Sequence, residues 1–325
     1  MRRISRYFRL SLTSECNLSC YFCHNEGQER LFAFRDLLSK DDIVWLCQAA
    51  RESGFRKFKL TGGEPTIRKD LFEIITGIRA SGIDDLSMIT NGTRLKTMAR
   101  ELRQAGLPRL NVSLFTLDPL RFREENGGSA ETLERIVSGI DEAISVGFSD
   151  IKLNYVWHHR NRVEDFLDVA QFAAQRHLTV VVLPLMDEFG ARAHDEYTTL
   201  GMVHRALREI GVREERFVLD HEGIRRRLIH LSTGATVLLR AEELGEVAPY
   251  AECASCIKRP ECREGIFPLR LGADGVLKPC LAEGRAPVNL LAFIKSRDTT
   301  AVRRAFQAVL FGAGIERSEE ELVHA

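Results

Sequence analysis

Cysteine thiolates can bind metals and carry out redox chemistry, and the eight cysteines of this chain are unevenly spaced. Three fall close together, at Cys16, Cys20 and Cys23, and four more fall between residues 253 and 280. Cys47 stands alone in an apolar segment, where we expect a buried core position. Thiols rarely persist as disulfides in a reducing compartment, so this clustering favours metal binding.

The first group has the spacing C-x3-C-x2-C and directly follows an apolar, strand-like segment. Three thiolates spaced in this way can bind a [4Fe–4S] cube and leave its fourth iron without a protein ligand. The alternative is a structural zinc ion with His24 as fourth ligand, although zinc commonly takes paired C-x2-C units. The spacing therefore favours an iron–sulfur cluster on Cys16, Cys20 and Cys23.

The second group, Cys253, Cys256, Cys262 and Cys280, offers four thiolates. We expect a second [4Fe–4S] cluster here, with a four-thiolate zinc site as the alternative. If all four cysteines bind, that cluster has no open iron and serves as an electron conduit or a structural element. If one cysteine does not coordinate iron, the iron left without a protein ligand can bind substrate directly.

Polar and glycine residues follow three neighbouring predicted strands. The segment 60–65 reads Leu-Thr-Gly-Gly-Glu-Pro, Thr90-Asn91-Gly92 closes the next strand, and Asn111-Val112-Ser113 closes the one after it. In barrels built from parallel strands, the carboxyl ends of the strands form the active site. We therefore expect these three segments and the first cysteine group to meet at one mouth.

Alternating strand-like and helical segments must build that mouth. Strands are predicted at 7–13, 57–61, 86–90, 109–114, 150–155 and 179–184, and helices at 40–53, 69–81, 94–105, 129–146 and 162–175. The pattern predicts an α/β fold, a partial (β/α)6 TIM-type barrel over residues 1–190. Residues 191–325 form a C-terminal extension that carries the second cluster, with a helix near 197–210, a hairpin around Gly234 and a helical tail from about 297.

Composition excludes several classes of protein. The chain is 44% hydrophobic and 28% charged with a formal net charge of zero, which argues against a disordered chain and a dedicated nucleic-acid binder. We find no apolar stretch near 18 residues and no signal peptide, because the N-terminus leads straight into a charged strand. A soluble, cytoplasmic protein is expected.

In their order and spacing these segments resemble the radical SAM superfamily and, within it, the GTP 3′,8-cyclase family of molybdenum-cofactor biosynthesis. The resemblance is carried by the first cysteine motif, KLTGGEPTIRKD (59–70), the Thr-Asn-Gly turn, NVSLFTLDPLRF from Asn111, LERIVSGIDEAISVGF (133–148), IKLN (151–154) and LRLGADGVLKPCL (269–281). It implies that the open iron binds S-adenosylmethionine (SAM). One electron then cleaves SAM to methionine and a 5′-deoxyadenosyl radical, which abstracts hydrogen from an unactivated carbon.

The resemblance also assigns roles to individual positions. Cofactor contacts are implied for Phe22, Gly62, Gly63, Glu64, Thr90, Asn91, Ser113 and Met186, with Glu64 and the glycine loop facing the amino group of SAM. Substrate contacts are implied for Arg9, Lys59, Thr90, Lys152 and Arg270, of which Lys152 and Arg270 carry the catalytic role. Cationic side chains at such positions suit the phosphates or the base of a nucleotide.

The chain also departs from that family. Cys262 is additional, Pro268 and Phe115 stand where the family has Arg and Asp, and 321–325 read Glu-Leu-Val-His-Ala where the family's tail ends in Gly-Gly. The C-x2-C-x5-C portion instead resembles the SPASM or twitch extensions of radical SAM dehydrogenases and peptide-modifying enzymes.

Two hypotheses follow. The first is a cyclase-like enzyme acting on a nucleotide or nucleoside, in molybdenum-cofactor or natural-product biosynthesis. The second is a dehydrogenase, epimerase or peptide-modifying enzyme with an auxiliary cluster. The expected partners are a small-molecule substrate and an electron donor such as flavodoxin or ferredoxin, with no DNA, no membrane and a homodimer left open.

Overall fold

The structure is a computed structural model that describes residues 7–23, 38–158, 160–185, 200–219, 225–240, 268–278 and 287–311. Within these ranges the strands join into a single sheet. The strands are β1 (Tyr7–Ser11), β2 (Lys57–Thr61), β3 (Asp85–Thr90), β4 (Arg109–Ser113), β5 (Asp150–Trp157), β6 (Thr179–Pro184), β7 (Val212–Leu219), β8 (Arg225–Leu231), β9 (Thr236–Arg240), β10 (Pro268–Leu271), β11 (Val276–Lys278) and β12 (Val288–Asn289).

The sheet contains the six predicted parallel strands in sequence order, β1 to β6, so the predicted α/β class is confirmed. It also contains two parallel strands that the sequence did not reveal. β10 pairs with the free edge of β1, and β9 pairs with the free edge of β6. Both belong to antiparallel hairpins, β10–β11 and β8–β9, so the alternation of strand and helix could not identify them as barrel strands. The hairpin expected around Gly234 is the second of these. The domain boundary at residue 190 stays a prediction.

Helices connect the parallel strands and cover one face of the sheet. They are α1 (Lys40–Glu52), α2 (Leu71–Ala80), α3 (Leu95–Gln104), α4 (Pro119–Asn126), α5 (Ala130–Ser145), α6 (Val163–Gln175), α7 (Leu200–Ile210), α8 (Leu291–Lys295) and α9 (Thr299–Phe311). Serine side chains cap two of these helices at their N-termini: Ser39 accepts a hydrogen bond from Asp42 N at 3.2 Å, and Ser129 accepts one from Thr132 N at 3.3 Å.

Helix α4 was not predicted, because it is short and its sequence, PLRFREEN, is mostly polar. Its start signal is nevertheless present. Asp118 caps the helix by accepting from Leu120 N at 2.8 Å, and Pro119 occupies the first helical position, where its missing N–H is not needed. Helix α4 lies between β4 and α5 and ends beside the first cysteine group.

Alternation along each strand separates the core from the site. In β1, Phe8 and Leu10 are buried on the helix side of the sheet, where Phe8 packs with Phe55, Phe58 and Phe306 at ring-centroid distances of 5.5 to 6.0 Å. Arg9 therefore points to the opposite face of the sheet, which is the inside of the partial barrel. No helix in the described ranges is both long and apolar enough to cross a membrane.

Candidate functional site

The first cysteine group lies in the loop that follows β1, and the end of α4 holds that loop in place. Ser19 N donates to the carbonyl of Asn126 at 3.0 Å, and Tyr21 N donates to the carbonyl of Glu125 at 3.0 Å. Cys16 and Cys23 are exposed and Cys20 is half-buried. The three thiols therefore stand at the carboxyl end of β1, at the expected mouth.

Two of these sulfurs accept hydrogen bonds. Cys16 Sγ accepts from Leu18 N at 3.4 Å and from the amide of Asn91 at 3.7 Å, and Cys20 Sγ accepts from the amide of Asn126 at 3.1 Å. Amide donors around sulfur are the surroundings expected of an iron–sulfur cluster, whose sulfurs carry negative charge. The donor set therefore fits a [4Fe–4S] cluster.

The protonation state of the thiols also bears on metal binding. Burial raises the pKa of Cys16, and it raises that of Cys20 to about 12 against the opposing hydrogen bond from Asn126. A raised pKa favours the protonated thiol, so iron must displace protons to bind. Within the described ranges no three His, Cys, Asp or Glu side chains converge on a position for one metal ion. The thiolates of a cube bind different irons and need not converge.

The glycine loop after β2 lies directly against the cysteine loop. Gly63 N donates to the carbonyl of Thr13 at 2.7 Å, and Glu64 N donates to that of Glu15 at 2.7 Å, which extends the pairing of β1 and β2 beyond both strands. A Cβ on Gly63 would overlap the carbonyl oxygen of Glu15, and one on Gly62 would overlap that of Thr13. Only glycine permits this approach of the two loops.

Glu64 ties the loops after β2 and β3 together. It is fully buried, and its Oε1 accepts from Thr66 Oγ1 at 2.6 Å, Thr66 N at 3.0 Å and Thr90 Oγ1 at 2.7 Å. Its Oε2 accepts from Asn91 N at 2.6 Å. Burial raises the pKa of Glu64 despite these donors. The sequence predicts a contact between Glu64 and SAM. It does not reveal the structural role of Glu64, whose hydrogen bonds fix the position of Asn91 relative to Gly63.

Asn91 in turn connects the β3 loop to the cysteine loop. Its Nδ2 donates to Asn17 Oδ1 at 2.8 Å, and Asn17 Nδ2 donates to Thr93 Oγ1 at 2.8 Å. Thr90 is buried, and its hydroxyl, besides donating to Glu64, accepts from Gly92 N at 3.1 Å. The structure thus brings Cys16, Gly63, Glu64 and Asn91 into one hydrogen-bonded unit.

A small apolar cluster lies beside Cys20. Phe22 and Phe115 pack edge to face at 4.8 Å between ring centroids, and Leu185 completes the cluster. Behind it, buried His158 lies 5.2 Å from the ring of Tyr21. Phe115, at the departure from the cyclase pattern, thus makes the surroundings of the cysteine loop less polar.

Ser113 ends β4 next to Asn154 of β5. Asn111, also on β4, donates to Asn154 Oδ1 at 3.2 Å. Met186, expected to contact SAM, lies outside the described residues, as do Cys253, Cys256, Cys262 and Cys280.

Inside the barrel, cations occupy one row of neighbouring strands. Strand register places Lys278, Arg270, Arg9 and Lys59 side by side on β11, β10, β1 and β2. Arg270 is buried and the other three are partly buried. The ring of Tyr7, the next inward residue of β1, lies 5.8 Å from Lys59 Nζ and 4.6 Å from Lys57 Nζ. We call Lys278, Arg270, Arg9 and Lys59 the cation row.

Lys152 does not belong to the cation row. It lies on β5, paired with Asn111 of β4, and its Nζ is 3.9 Å from Asp150 Oδ1. Lys278, by contrast, was missed by sequence reasoning, because its place beside Arg270 depends on the β10–β11 hairpin. Asn126 was missed because its helix was not predicted.

Comparison with known proteins gives these features a family. Residues 10–173 match the family model of the radical SAM superfamily. The chain is 34% identical over 300 residues to a protein of Saccharolobus solfataricus named "Probable GTP 3′,8-cyclase", a match that covers 91% of this chain and 89% of that relative. A protein of the same name from Sulfolobus acidocaldarius is 34% identical over 292 residues, which is 90% of this chain and 86% of the relative.

Solved structures agree at the level of the fold. Streptococcus suis SuiB bound to S-adenosylmethionine has a TM-score of 0.65 at 16% identity, covering 94% of this chain and 68% of that one. Native anSMEcpe with bound AdoMet has a TM-score of 0.58 at 12% identity, covering 96% and 85%. The family match agrees with the structure, which places the cysteine loop directly against the glycine loop. The chain therefore belongs to the radical SAM superfamily, whose enzymes use a [4Fe–4S] cluster and SAM.

Proposed function

We propose that Cys16, Cys20 and Cys23 hold the [4Fe–4S] cluster and that the enzyme abstracts hydrogen from a nucleotide or nucleoside-like substrate, in a GTP 3′,8-cyclase-like reaction. When bound, the reduced cluster supplies one electron to SAM, which yields methionine and a 5′-deoxyadenosyl radical that takes a hydrogen atom from the substrate. The observation that carries the choice of substrate is the cation row.

The cation row supports an anionic substrate for an electrostatic reason. Phosphate oxygens accept charge-assisted hydrogen bonds, and neighbouring strands hold these four cationic side chains side by side, so one polyphosphate can contact several of them at once. The guanidinium groups of Arg9 and Arg270 can each bind two phosphate oxygens, whereas Lys59 and Lys278 act as point charges. The names of the two relatives agree with a triphosphate substrate.

The proposal gives the remaining mouth residues separate tasks. Gly62, Gly63 and the end of β4 at Ser113 shape the SAM site, and Glu64, Thr90 and Asn91 keep its loops at a fixed spacing. Phe22 and Phe115 exclude water from the place where a radical must survive. Lys152, on the wall formed by β4 and β5, approaches the substrate from another side than the cation row.

The proposal also extends to groups beyond the described residues. Met186 completes the SAM site, and Cys253, Cys256, Cys262 and Cys280 hold a second [4Fe–4S] cluster. A flavodoxin- or ferredoxin-type protein supplies the electron in the cytoplasm, where thiols stay reduced. Anaerobically reconstituted protein should then contain about eight irons per chain. About four irons with one zinc would contradict the proposal of a second cluster.

Three departures from the cyclase pattern support a second candidate function. Pro268 and Phe115 replace an arginine and an aspartate of the cyclase pattern, and Cys262 adds a fourth thiol to the extension. These changes favour a less polar substrate such as a peptide. In an oxidation, a fully ligated second cluster would accept the electron of the substrate radical; in an epimerisation, a thiol would return a hydrogen atom to it.

One experiment separates the two functions. Reconstituted enzyme is incubated with SAM and dithionite together with GTP, other nucleotides, nucleosides or peptides, each deuterated at carbon. Deuterium in 5′-deoxyadenosine from GTP or another nucleotide supports the proposal. Its dependence on Arg9 is tested with Arg9→Gln, beside Lys69→Met, which removes an exposed cation outside the barrel. Failure of every nucleotide, with transfer from a peptide, would overturn the proposal in favour of the second function.

A further inference from the structure

We propose that Asn126 is a positioning residue for the cluster: its side-chain amide donates a hydrogen bond to the Cys20 thiolate and raises the reduction potential of the [4Fe–4S] centre. This rests on the proposed assignment of the cluster to Cys16, Cys20 and Cys23. Asn126 is the last residue of α4 and is fully buried. Its Nδ2 lies 3.1 Å from Cys20 Sγ, within the range for an N–H···S hydrogen bond.

The backbone around Asn126 fixes this contact. The carbonyls of Glu125 and Asn126 accept the N–H groups of Tyr21 and Ser19, so the last turn of α4 and the cysteine loop move together. The helix ends at Gly127 with a φ of 70°, and a Cβ at that position would overlap Ser19 Oγ. Glycine thus lets the helix stop where its last side chain meets the sulfur.

Helix α4 is itself anchored by buried polar side chains. Arg121 donates to Glu125 Oε1 at 2.6 Å and lies 3.1 Å from Asp165 Oδ2 of α6. Asp165, Glu125 and His158 are all buried, and His158 Nε2 is 3.7 Å from Glu125 Oε2. This polar network holds the end of α4 against β5 and α6, so the amide of Asn126 is positioned before any cluster binds.

The amide of Asn126 has one orientation that suits a thiolate. Its Oδ1 is buried and makes no hydrogen bond with the described residues, whereas its Nδ2 faces the sulfur. Turning the amide over would put the oxygen against an anionic sulfur. The donor therefore remains directed at Cys20 when the iron is bound.

Cys16 provides an internal comparison. Its donors are the backbone N–H of Leu18 at 3.4 Å and the amide of Asn91 at 3.7 Å, both longer than the contact to Cys20. Asn91 is also part of the loop unit built on Glu64, whereas the side-chain amide of Asn126 makes no hydrogen bond with the glycine loop in the described ranges. Replacing Asn126 thus removes a hydrogen-bond donor to sulfur and leaves the hydrogen bonds of the glycine loop in place.

A hydrogen bond to a thiolate stabilises the added negative charge of the reduced cluster more than the oxidised one, so it raises the reduction potential. Asn126→Leu keeps the shape of the side chain and removes the donor. In an anaerobic redox titration followed by EPR, with the SAM-responsive signal used to identify this cluster, we expect a shift to more negative potential. At the parent's midpoint, the ratio of reduced to oxidised cluster should fall by about ten-fold. Glu124→Gln, at an exposed position of α4 two residues before Asn126, should leave the potential unchanged.

The outcomes separate this inference from the function on which it rests. No SAM-responsive cluster in the parent, or its survival in Cys20→Ala, would contradict the proposed function. A parent cluster with an unchanged potential and full iron content in Asn126→Leu would overturn the inference. If Asn126→Leu fails to assemble the cluster, protein labelled with asparagine that carries ¹⁵N only in its side-chain amide decides instead, with Asn17→Asp and Asn91→Ala combined to remove the other asparagine amides of the cysteine and β3 loops. Two-dimensional EPR should then detect a ¹⁵N coupling to the reduced cluster, and its absence overturns the inference.

Discussion

The mouth of the barrel and the cation row lie only a few residues apart along β1 and β2, yet they are built in different ways. At the mouth, backbone groups and small residues set the geometry: Gly63 and Glu64 pair with the cysteine loop through main-chain hydrogen bonds of 2.7 Å. In the cation row, long charged side chains on β11, β10, β1 and β2 stand side by side. The mouth is therefore defined by the close fit of its loops, and the cation row by its charge.

The difference separates two tasks. Cluster and SAM chemistry is common to a superfamily and needs fixed distances between loops, which glycine and a buried carboxylate provide. Substrate choice varies between members and can change with a few side chains on strands that stay in place. Substitutions at the mouth should therefore abolish SAM cleavage, whereas substitutions in the cation row should weaken substrate binding and leave SAM cleavage intact.

The largest effect is expected at the mouth, from Gly63→Ala. The new Cβ would overlap the carbonyl oxygen of Glu15, so the glycine loop and the cysteine loop must separate. A displacement of this kind should lower 5′-deoxyadenosine formation by at least about 100-fold. Gly147→Ala is the control for a destabilising glycine replacement away from the mouth: a Cβ there meets nothing within 4 Å, but the φ of 93° strains any side chain, so stability should fall while 5′-deoxyadenosine formation by the folded enzyme stays near the parent's. Equal activity of Gly63→Ala and the parent would show that the loop contact is not needed.

Glu64→Gln should have the second largest effect. The buried carboxylate accepts four hydrogen bonds, and a carboxamide must turn its NH2 group toward donors on one side. We expect the free energy of unfolding to fall by about 1–3 kcal/mol and SAM cleavage to fall with it. Urea unfolding and 5′-deoxyadenosine yield measure the two effects. Full stability with lost cleavage would instead point to a direct contact between Glu64 and SAM.

Lys59→Met tests the cation row, as the two preceding variants test the mouth. Removing one charge of the cation row should raise the KM for the nucleotide about ten-fold, because one charge-assisted phosphate contact is lost. SAM cleavage without substrate should stay within about two-fold of the parent, since Lys59 is not part of the loop unit. Steady-state kinetics at varied GTP concentration measure the KM. A loss of substrate-free cleavage would mean that the two regions are not independent.

The smallest effect is expected outside both regions, at Asp42 of α1. Burial raises the pKa of Asp42, but hydrogen bonds from Lys295 and Ser39 outweigh it and hold the pKa below its ordinary value. A depressed pKa contributes stability above the unfolded pKa of about 3.9, and that stability is lost as pH falls through the folded value. Lys295→Met should lower the free energy of unfolding by about 0.5–1 kcal/mol at pH 7, because Lys295 is half exposed.

Urea unfolding at pH 7 and near pH 3 tests this. The difference between parent and Lys295→Met should shrink at the lower pH, while 5′-deoxyadenosine formation at pH 7 stays unchanged. Arg303→Met, which removes an exposed cation of α9, is the control. A difference that persists at low pH would assign the effect to packing and not to charge.

Much of the site followed from sequence because its parts are local. The C-x3-C-x2-C spacing, the Gly-Gly-Glu turn and Ser113 are all attached to strands whose alternation with helices predicts a shared mouth. What could not be predicted depends on contacts between distant segments. The neighbourhood of Arg9 and Arg270 needs the pairing of β1 with β10 across 260 residues of chain.

The same reason explains the missed residues. Nothing near Asn126 in sequence points to Cys20, 106 positions away, and its short polar helix has no hydrophobic period to reveal it. Glu64 was found, but only as a cofactor contact, since its bonds to Thr90 and Asn91 depend on how two loops fold over each other. Motifs identify the reacting groups, and tertiary structure determines what holds them.

The most direct test of the central claim compares the parent with a variant in which Cys16, Cys20 and Cys23 are all alanine. Both are reconstituted anaerobically, assayed for iron, and incubated with SAM and dithionite. The variant should lose about four irons, retain those of the second cysteine group, and form no 5′-deoxyadenosine above background. SAM cleavage by the variant at the parent's rate would contradict the assignment of the reactive cluster to these three cysteines.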